Sequence, residues 1–545
     1  MIGAPDVTFP VGVRSSDMRQ PLALAVVSAA AVLGGPDLAQ AELVAPPSRL
    51  PVEMAWPVAT GPGASALAVV PTVCAACNDA RLAERDASGR WTLRTIGPAG
   101  MFPALVAFNP SGAARAVTVG NTPEGGAAYA VRRPAGAARF EAPVPIALGG
   151  AIYSNWHTAS DGRGDIAFVS DVKGPDTVVR TILVTAVGGG QLGMPQELPE
   201  PTETTSVAVG GGRVLVAYAD RRGRVHARSG TIGAPLGAPQ LLTTRSTGGP
   251  GVALDDSGDA TVAFDQRGRT NFDHALMAAR ARAGERFGTP TVQGRVTAEF
   301  GFSAHGSAAG ATTALIWQRP SSDDSRVHVA IARGAGRFGR AATLPASSYD
   351  QSYRPVAAVS PAGDVVLAYA YRFDGAVHAT IRRAGASHIG PLHVISELGE
   401  GGAPSVAWLS DGRPLIVYHS RQGGLLATTH VAGPAPDLTP PRVDAILRSD
   451  ARNQLRAGNR ITVTFRCSEP CMLSTRASLH AHDGRTVADG VSRRLLRRDA
   501  TFTERFVFDP DGRAGRAVRG ARVRVTVDAQ NASGASREAV REIVL

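Results

Sequence analysis

Short runs of alternating apolar and polar residues, separated by turns that contain glycine, fill the chain from Leu50 to Val431. One copy reads PVAAVSPAGDVVLAYAYR, from Pro355 to Arg372. An apolar run leads into a glycine-bearing turn, and the next run ends in an aromatic residue. Alternation bounded by turn residues predicts β-strands, and no stretch of useful length has a helical period. We therefore predict an all-β fold.

A second motif recurs in the same part of the chain: a turn, an apolar residue, and then usually glycine and proline. The intervals between these apolar residues are 49, 52, 44, 51, 51 and 51 residues. A fixed period of about 50 residues indicates a repeat architecture. The apolar residues are Trp91, Phe140, Leu192, Leu236, Phe287, Phe338 and Ile389.

Each period contains four short predicted strands, which is typical of a β-propeller blade. The last period, Pro404 to Val431, has only three predicted strands. The strand-like segment Leu50 to Val58 would supply the fourth strand and leave no sheet edge open. This arrangement gives eight blades. In the alternative, the strand at Trp91 closes a ring of seven blades.

An aromatic residue ends the second predicted strand in five of the repeats. Burying one such side chain between neighbouring blades stabilises the fold by roughly 2 to 3 kcal/mol. We therefore interpret the repeated residues first as packing residues. The aromatic residues are Tyr218, Phe264, Trp317, Tyr369 and Tyr418.

Arginine recurs two or three residues after these aromatic residues, where the strands are expected to end at the rim of the ring. A guanidinium group binds a carboxylate through two parallel hydrogen bonds. These arginines are therefore the candidate ligand-binding residues, with a solvated or structurally paired arginine as the alternative at each position. The candidates are Arg221, Arg267, Arg319, Arg372 and Arg421.

Histidine opens the third predicted strand in four of the repeats. The third strand lies roughly 10 Å outside the innermost one, whereas zinc ligands lie within about 2.1 Å of the ion. These histidines therefore cannot converge on one metal, and we predict hydrogen bonds between strands or blades and no metal site. The histidines are His226, His274, His328 and His378.

The period stops after a proline-rich linker at residues 433–441. Six strands are predicted between Arg442 and Leu545, which suits an antiparallel β-sandwich. The stretches RITVTFRCSEPC and VRVTVDAQNASG resemble immunoglobulin-like domains at the C-termini of secreted bacterial proteins. The predicted organisation is a signal peptide with an N-terminal extension at 1–41, a β-propeller at 42–432, the linker at 433–441, and an immunoglobulin-like β-sandwich at 442–545.

The N-terminal segment has the pattern of a secretory signal peptide. Arg19 precedes an apolar run from Leu22 to Gly35, and the small-x-small sequence Ala39-Gln40-Ala41 follows it. The apolar run is too short to span a bilayer comfortably. We predict a secreted or cell-surface protein with no membrane span after cleavage. An uncleaved signal anchor is the alternative.

The four cysteines form two close pairs, Cys74 with Cys77 and Cys467 with Cys471. In an oxidising compartment each pair predicts a structural disulfide. A shared zinc site is the alternative, but about 390 residues separate the pairs and neither has a histidine at zinc-finger spacing. We expect Cys467 and Cys471 to be too close in sequence to join the two sheets of a sandwich.

The net charge of +11 is carried almost entirely by arginine, because Lys173 is the one lysine among 57 basic residues. From Arg442 to Leu545 there are 20 arginines against 12 acidic residues, so most of the excess lies in the last fifth of the chain. No basic run is interleaved with stacking aromatic residues, as single-stranded nucleic acid binding would require. We predict no nucleic acid partner.

The repeats also resemble those of sialidase-type propellers, whose Asp-box turns contain Asp, Gly and Thr at fixed spacing. Asp256, Gly258 and Thr261 match part of that pattern, and no copy has all of it. The resemblance implies a glycan-active enzyme, a sialidase-like hydrolase or a polysaccharide lyase, with its site in the central funnel. Its acids would come from isolated carboxylates such as Asp165, Asp265, Glu299 and Asp350.

Motifs of serine hydrolases, zinc proteases and Walker-type nucleotide-binding proteins are absent from the sequence. We therefore predict first a secreted, monomeric binding or scaffold protein without catalytic residues or cofactor. In this interpretation one face of the propeller binds a glycan or protein ligand. The glycan-active enzyme is the alternative. The architecture resembles that of secreted bacterial propeller proteins.

Overall fold

The computed structural model describes the chain in segments, and its secondary structure consists almost entirely of strands. The segments are 42–45, 58–70, 79–99, 101–122, 125–188, 190–198, 202–246, 248–268, 273–297, 303–318, 326–344, 355–370, 376–397, 404–419, 425–433, 435, 437, 439, 441–448, 450, 453–454, 460–480, 486–496, 501–508, 522–531 and 536–544. No helix within these segments is long and apolar enough to cross a membrane.

The strands up to residue 428 fall into antiparallel groups of four, which follow the chain order except that β1 joins the last group. The first of them are β1 (Glu42–Ala45), β2 (Val58–Thr60), β3 (Ala66–Val70), β4 (Asp79–Arg85), β5 (Trp91–Ala99), β6 (Met101–Phe108), β7 (Ala114–Thr122), β8 (Gly125–Arg133), β9 (Val144–Pro145), β10 (Ala151–Ser160), β11 (Ile166–Lys173), β12 (Val179–Ala186), β13 (Gln196–Glu197), β14 (Thr202–Gly210), β15 (Arg213–Asp220), β16 (Val225–Thr231) and β17 (Gln240–Thr243).

The pattern continues without interruption through the second half of this region. The strands are β18 (Gly251–Leu254), β19 (Ala260–Arg267), β20 (Asp273–Ala281), β21 (Thr291–Thr297), β22 (Ser303–Ala309), β23 (Thr312–Gln318), β24 (Val327–Arg333), β25 (Ala342–Thr343), β26 (Val356–Val359), β27 (Val365–Ala370), β28 (Val377–Arg382), β29 (His393–Val394), β30 (Ser405–Trp408), β31 (Pro414–His419) and β32 (Leu425–Thr428).

The sheets are β2–β5, β6–β9, β10–β13, β14–β17, β18–β21, β22–β25, β26–β29, and β30–β32 completed by β1. The β6–β9 and β10–β13 groups are joined through one bridge between Ile152 and Gly126, and therefore form one eight-stranded sheet. Strands within each group pair with their chain neighbours, as in a meander.

Each pair of successive sheets shares one hydrophobic core. Leu215 of the β14–β17 sheet, for example, packs in the same cluster as Val262 and Phe264 of the β18–β21 sheet. The last sheet also packs against the first, because Leu415 and Val417 share a cluster with residues of β3. This cyclic order of packed four-stranded sheets is a β-propeller-like arrangement.

The ring is closed by β1, which pairs antiparallel with β32 from Glu42↔Ala427 to Ala45↔Leu425. The prediction that Leu50 to Val58 closes the last sheet is therefore wrong. Val58 begins the innermost strand of the first sheet, and residues 50–57 lie outside the described segments. The strand at Trp91 pairs with β4 rather than with the last sheet.

The five repeated aromatic residues are buried between neighbouring sheets, as predicted. Tyr218, Trp317, Tyr369 and Tyr418 are among the largest fully buried side chains, and so is Phe264. Tyr369 packs against Ala314 and Ile316 of the preceding sheet. Tyr418 likewise packs against Val366 and Ala368.

The motif of turn and apolar residue places one side chain in the connection before the short outer strand of most sheets. The outer strands β9, β13, β17, β21, β25 and β29 each begin four residues after the motif residue. Leu236 and Phe287 are buried, and Phe338 and Ile389 pack against the cores between sheets. The period of about 50 residues is thus a packing period.

Beyond the proline-rich segment, two antiparallel sheets share one core, in which Val463 and Phe465 of one sheet meet Leu473 and Val525 of the other. The sheet orders are β33-β34-β37 and β36-β35-β38-β39. The sequence analysis missed β36. The strands are β33 (Val443–Leu447), β34 (Arg460–Cys467), β35 (Cys471–His480), β36 (Thr486–Leu496), β37 (Thr501–Val507), β38 (Arg522–Gln530) and β39 (Ser536–Val544).

The predicted disulfide between Cys467 and Cys471 is confirmed. Cys467 ends β34 and Cys471 begins β35, and these strands belong to different sheets. The expectation that this pair is too close to join two sheets is therefore wrong, because the chain crosses between the sheets within the four-residue separation. The pair Cys74 and Cys77 lies outside the described segments.

Candidate ligand-binding site

A cavity of about 770 Å³ opens at one end of the β14–β17 and β18–β21 sheets. Its charged lining consists of four arginines and one glutamate. We call it the arginine cavity. The charged residues are Arg221, Arg222, Arg245, Arg267 and Glu203.

Three connections bring these side chains to one end of the sheets. Arg221 and Arg222 lie in the tight turn between β15 and β16, and Arg245 lies in the link from β17 to β18. Arg267 is the last residue of β19, and Glu203 is the second residue of β14. In an antiparallel sheet whose strands follow the chain order, the first strand begins at the end of the sheet where the second strand finishes. These connections therefore lie at the same end of the two sheets.

Asp220 holds the turn that carries Arg221 and Arg222. Its Oδ1 accepts hydrogen bonds from the backbone amides of Arg222 at 2.9 Å and Arg224 at 3.0 Å. Its Oδ2 accepts a hydrogen bond from the Arg224 side chain. Burial opposes ionisation of Asp220, but the Arg224 and Arg222 hydrogen bonds outweigh it and lower the pKa of this carboxyl.

The turn and the adjacent link are fastened to each other through their backbones. The Ser246 amide donates a hydrogen bond of 2.8 Å to the Gly223 carbonyl. Gly223 has a positive φ of 71°, and a Cβ there would lie 2.5 Å from the Ser246 carbonyl oxygen. Glycine is therefore required at this contact. The Arg267 amide donates a further hydrogen bond of 2.8 Å to the Arg245 carbonyl.

The cavity carries an excess of positive charge. Within the described segments, none of the side chains of Arg221, Arg222, Arg245 and Arg267 forms an ion pair, and all four are exposed. The neighbouring Arg224, in contrast, is paired with Asp220. Four solvated guanidinium groups around one cavity provide hydrogen-bond donors that an anionic ligand can occupy.

The structure brings together two of the five predicted arginines, Arg221 and Arg267. Arg319, Arg372 and Arg421 lie outside the described segments. The sequence analysis missed Arg222 and Arg245, because it searched only at fixed positions after the aromatic residues. The run DRRGR indicates an arginine-bearing turn that could have revealed Arg222.

A second, narrow cavity lies between the β10–β13 and β14–β17 sheets and shares Glu203 with the arginine cavity. It is lined by buried polar groups, among them Asp171 and Thr181. The Thr181 hydroxyl donates to Asp171 Oδ1 at 2.8 Å. The Thr202 hydroxyl lies 3.4 Å from the same oxygen, so this network joins the two sheets.

The carboxylates considered as catalytic acids have structural partners where the structure describes them. Asp265 Oδ2 lies 2.8 Å from Nδ1 of His274, and both side chains are buried. Asp165 accepts a hydrogen bond of 2.6 Å from the Gly188 amide at the opposite end of its sheet. Glu299 and Asp350 lie outside the described segments. Neither described carboxylate lines the arginine cavity.

The turn that partly resembles an Asp box is a structural turn. Asp255 Oδ1 accepts hydrogen bonds from the amides of Ser257 and Asp259, both at 2.9 Å. Asn109 and Asp161 organise equivalent turns in the same way. Asp256 instead accepts a hydrogen bond of 2.6 Å from the Gly310 amide of the next sheet.

The four repeated histidines each occupy the second position of a third strand, at β16, β20, β24 and β28. His328 Nδ1 lies 3.1 Å from the Thr343 hydroxyl on the adjacent strand, and His274 pairs with Asp265. The predicted role in hydrogen bonds between strands is confirmed for these two residues. Within the described part of the chain, no three His, Cys, Asp or Glu residues are grouped to hold a metal ion.

Comparison with known proteins leaves the family open, because no protein-family model and no curated protein matches this chain. Solved structures show weak similarity. The BP39L lectin from Burkholderia pseudomallei is 15% identical with a TM-score of 0.42, covering 63% of this chain and 99% of the lectin. The polysaccharide lyase Uly1 is 11% identical with a TM-score of 0.38, covering 74% and 94%.

A microbial sialidase, Hz136, is 11% identical with a TM-score of 0.32, covering 57% of this chain and 74% of the sialidase. These similarities are too weak to assign an activity. The ring arrangement described above follows from the sheet order and the shared cores.

Proposed function

We propose that this protein is a secreted, non-catalytic binding protein whose arginine cavity binds an acidic glycan. The observation that carries the proposal is the set of four exposed guanidinium groups, without ion pairs in the described segments, around one cavity of about 770 Å³. Carboxylate or sulfate groups on a sugar would each accept paired hydrogen bonds from such groups.

The size and the lining of the cavity favour a glycan over a protein ligand. A volume of about 770 Å³ is in the range of sites that enclose small molecules, whereas stable protein interfaces need about 800 Å² on each partner. Thr204, Thr244 and Ser246 add hydroxyl groups to the lining. Hydroxyl groups both donate and accept hydrogen bonds, so they suit the hydroxyl-rich rings of a sugar.

The distribution of carboxylates favours binding over catalysis. Glycosidases use two carboxyl groups at separations of roughly 5 to 9.5 Å. Glu203 is the one carboxylate among the described residues that line the arginine cavity. A sialidase-like hydrolase or a polysaccharide lyase, the alternative from the sequence, therefore has less support.

In this proposal the propeller spans residues 42–432 and has eight blades, with β1 completing the last one. The linker is at 433–441, and the sandwich at 442–545 is an immunoglobulin-like domain that serves as a spacer. The signal-peptide pattern at residues 1–41 and the Cys467–Cys471 disulfide support export to an oxidising compartment. We propose a monomer at the cell surface or in the medium.

An array of acidic and neutral glycans tests the proposal. We expect the mature protein to bind glycans that carry carboxylate or sulfate groups, more weakly as the salt concentration rises. We expect the double variant Arg245→Ala/Arg267→Ala to bind at least about tenfold more weakly, since one charge-assisted hydrogen bond contributes about 1.5 to 3 kcal/mol.

The matched control is Arg282→Ala/Arg286→Ala, which removes two exposed arginines from the opposite end of the β18–β21 sheet. It should bind like the wild-type protein. Equal affinity of wild type and the Arg245/Arg267 double variant would exclude the arginine cavity as the binding site. Absence of binding to every acidic glycan would overturn the proposed function.

A further inference from the structure

An exposed aromatic residue and the only lysine of the chain form a pair at one end of the β10–β13 sheet. Tyr153 of β10 is 62% exposed, although it lies on the first strand of its sheet. The ammonium nitrogen of Lys173 lies 6.0 Å from the centre of the Tyr153 ring. An aromatic ring exposed to this extent does not serve the packing between sheets.

A β-bulge turns Tyr153 away from the regular strand pattern. Ile152 pairs with Val172 and Ser154 pairs with Asp171, so Tyr153 is the extra residue. Glu203 is the extra residue of a second bulge, on the first strand of the next sheet, because Thr202 pairs with Asp220 and Thr204 with Ala219. Bulges change the direction of a side chain and are frequent beside functional sites.

The backbone around Tyr153 is held by two close approaches. A Cβ at Gly150 would lie 2.4 Å from the Lys173 carbonyl oxygen, and a Cβ at Gly126 would lie 2.5 Å from the Ile152 carbonyl oxygen. Both positions therefore require glycine. The backbone just before the bulge therefore packs closely against β8 and β11.

Tyr153 is the third residue of β10 and Lys173 is the last residue of β11, so both lie at the end of their sheet where the first strand begins, as Glu203 does on β14. Ser154, next to Tyr153, pairs with Asp171, and Asp171 lines the narrow cavity together with Glu203. Glu203 also lines the arginine cavity. Tyr153 and Lys173 therefore lie at the same edge of the sheets as the arginines, one sheet further along the ring.

We propose that Tyr153 and Lys173 form a second subsite of the arginine cavity, so that the ligand is an acidic oligosaccharide rather than a single sugar. The inference rests on the proposed function of the cavity. One sugar unit places its acidic group among the arginines. Another unit stacks the C–H groups of its ring face on the electron-rich face of Tyr153, and its acidic group lies near the Lys173 ammonium.

The arrangement favours an oligosaccharide over single-stranded nucleic acid. Nucleic acid binding surfaces stack successive bases on several aromatic side chains along a basic groove. Tyr153 is the one aromatic residue in contact with this lysine, and no aromatic residue lines the arginine cavity in the described segments. A ribonucleotide homopolymer of matched length is therefore a control ligand. It should bind no more tightly than expected from its net charge alone.

The first experiment measures affinity against ligand length by calorimetry. The probes are galacturonic acid and its oligomers of up to about six units, with heparin-derived oligosaccharides of matching lengths. We expect wild-type affinity to rise at least about tenfold from the single sugar to the longer oligomers. Tyr153→Ala should abolish that increase and leave the affinity for the single sugar unchanged.

Two variants separate stacking from a general effect on the fold. Tyr153→Phe retains the ring face and should bind the longer oligomers like the wild-type protein. Met194→Ala removes another exposed apolar side chain, 85% exposed, from the same sheet group and should have no effect. If Tyr153→Ala binds the longer oligomers as tightly as the wild-type protein, the second subsite does not exist.

The second experiment uses the fact that Lys173 is the only lysine. Acetylation by a mild amine-reactive reagent, followed by mass spectrometry, reports only on Lys173 and the α-amino group. We expect a saturating long oligomer to slow Lys173 acetylation at least about tenfold, while the α-amino rate and the rate with saturating single sugar stay unchanged.

An unchanged Lys173 rate in the presence of a bound long oligomer would overturn the second subsite but leave the arginine cavity intact. Failure of both probe series to bind the wild-type protein at all would instead overturn the proposed function. The single-sugar measurement therefore distinguishes the two failures. Binding of the single sugar is kept when only the second subsite is absent, and it is lost when the proposed function is wrong.

Discussion

The cores between the sheets and the arginine cavity both contain residues that recur along the chain, but these residues differ in solvent access. Tyr218, Trp317 and Tyr369 are at most 1% exposed and pack against the preceding sheet. Arg221 and Arg267 follow the aromatic residues by three positions and are exposed. A residue type that recurs in the sequence therefore shows only that the structure repeats. Solvent exposure decides which of the recurring residues can bind a ligand.

The repeated histidines show how the same position can serve different contacts. His226, His328 and His378 stack on the aromatic residue of the neighbouring strand, with ring centroids 5.4, 5.5 and 5.4 Å apart. His274 lies opposite Arg267 instead, and its partner is Asp265. β19 continues three residues beyond Phe264, whereas β15 ends two residues beyond Tyr218, so the histidine at the same position of the repeat meets a different partner.

The largest effect should come from removing a buried aromatic residue. Tyr369→Ala should lower the free energy of unfolding by roughly 3 to 5 kcal/mol, since it leaves a cavity between two sheets. Guanidinium chloride unfolding measures this loss, and Tyr369→Phe, which retains the ring, should lose much less. A loss below about 1 kcal/mol for Tyr369→Ala would show that the buried aromatic residues between the sheets do not hold the sheets together.

An intermediate effect should appear as a pH dependence that comes from His378. Burial lowers the pKa of this fully buried histidine to about 4, below the ordinary value of 6.5. The unfolded chain therefore takes up a proton between pH 6.5 and 4 that the folded chain does not. The contribution of neutral His378 to the free energy of unfolding is fully present above pH 6.5. On the order of 3 kcal/mol of it is lost as the pH falls to 4.

Unfolding measured across this pH range should thus show a smaller acid-induced loss in His378→Gln than in the wild-type protein. Burial and the nearby Asp165 charge raise the pKa of Asp161 to about 6, which acts with the opposite sign in the same range. The difference between wild type and variant cancels that contribution. His388→Gln, at an exposed turn, is the control. Identical pH profiles for wild type and His378→Gln would refute the assignment.

The smallest effect on stability should come from the arginine cavity. Arg245→Ala and Arg267→Ala should each change the free energy of unfolding by no more than about 0.5 kcal/mol, as is usual for exposed side chains without buried partners. Thermal and denaturant unfolding measure it. A loss of about 2 kcal/mol in either variant would mean that these arginines are structural, and would remove the contrast with the aromatic layer.

The architecture could be predicted from the sequence because it depends on local periodicity. Alternating residues, glycine turns and the motif around Phe287 or Phe338 recur in all copies but the last, so four strands per repeat could be counted. The closing strand could not be found in this way. Glu42–Ala45 is too short to show a pattern, and its partner β32 is more than 370 residues away.

The site could be predicted only in part, since it depends on which connections meet in space. Arg221 and Arg267 stood out because they repeat, whereas Arg245 lies in an irregular link whose position relative to the turn at Gly223 is set by tertiary contacts. Tyr153 was missed for a different reason. A bulge adds one residue to one strand only, and nothing in the sequence marks which residue is turned outward.

The pairing of β1 with β32 also has a consequence for the order of events during synthesis. Among the described strands, β1 is synthesised first, yet its partner, Leu425–Thr428, is synthesised last of the strands in the ring. Sheets in between can assemble against their neighbours as they appear. A chain that stops before residue 425 lacks β32. It therefore cannot form the β1–β32 pairing that completes the last sheet beside the first.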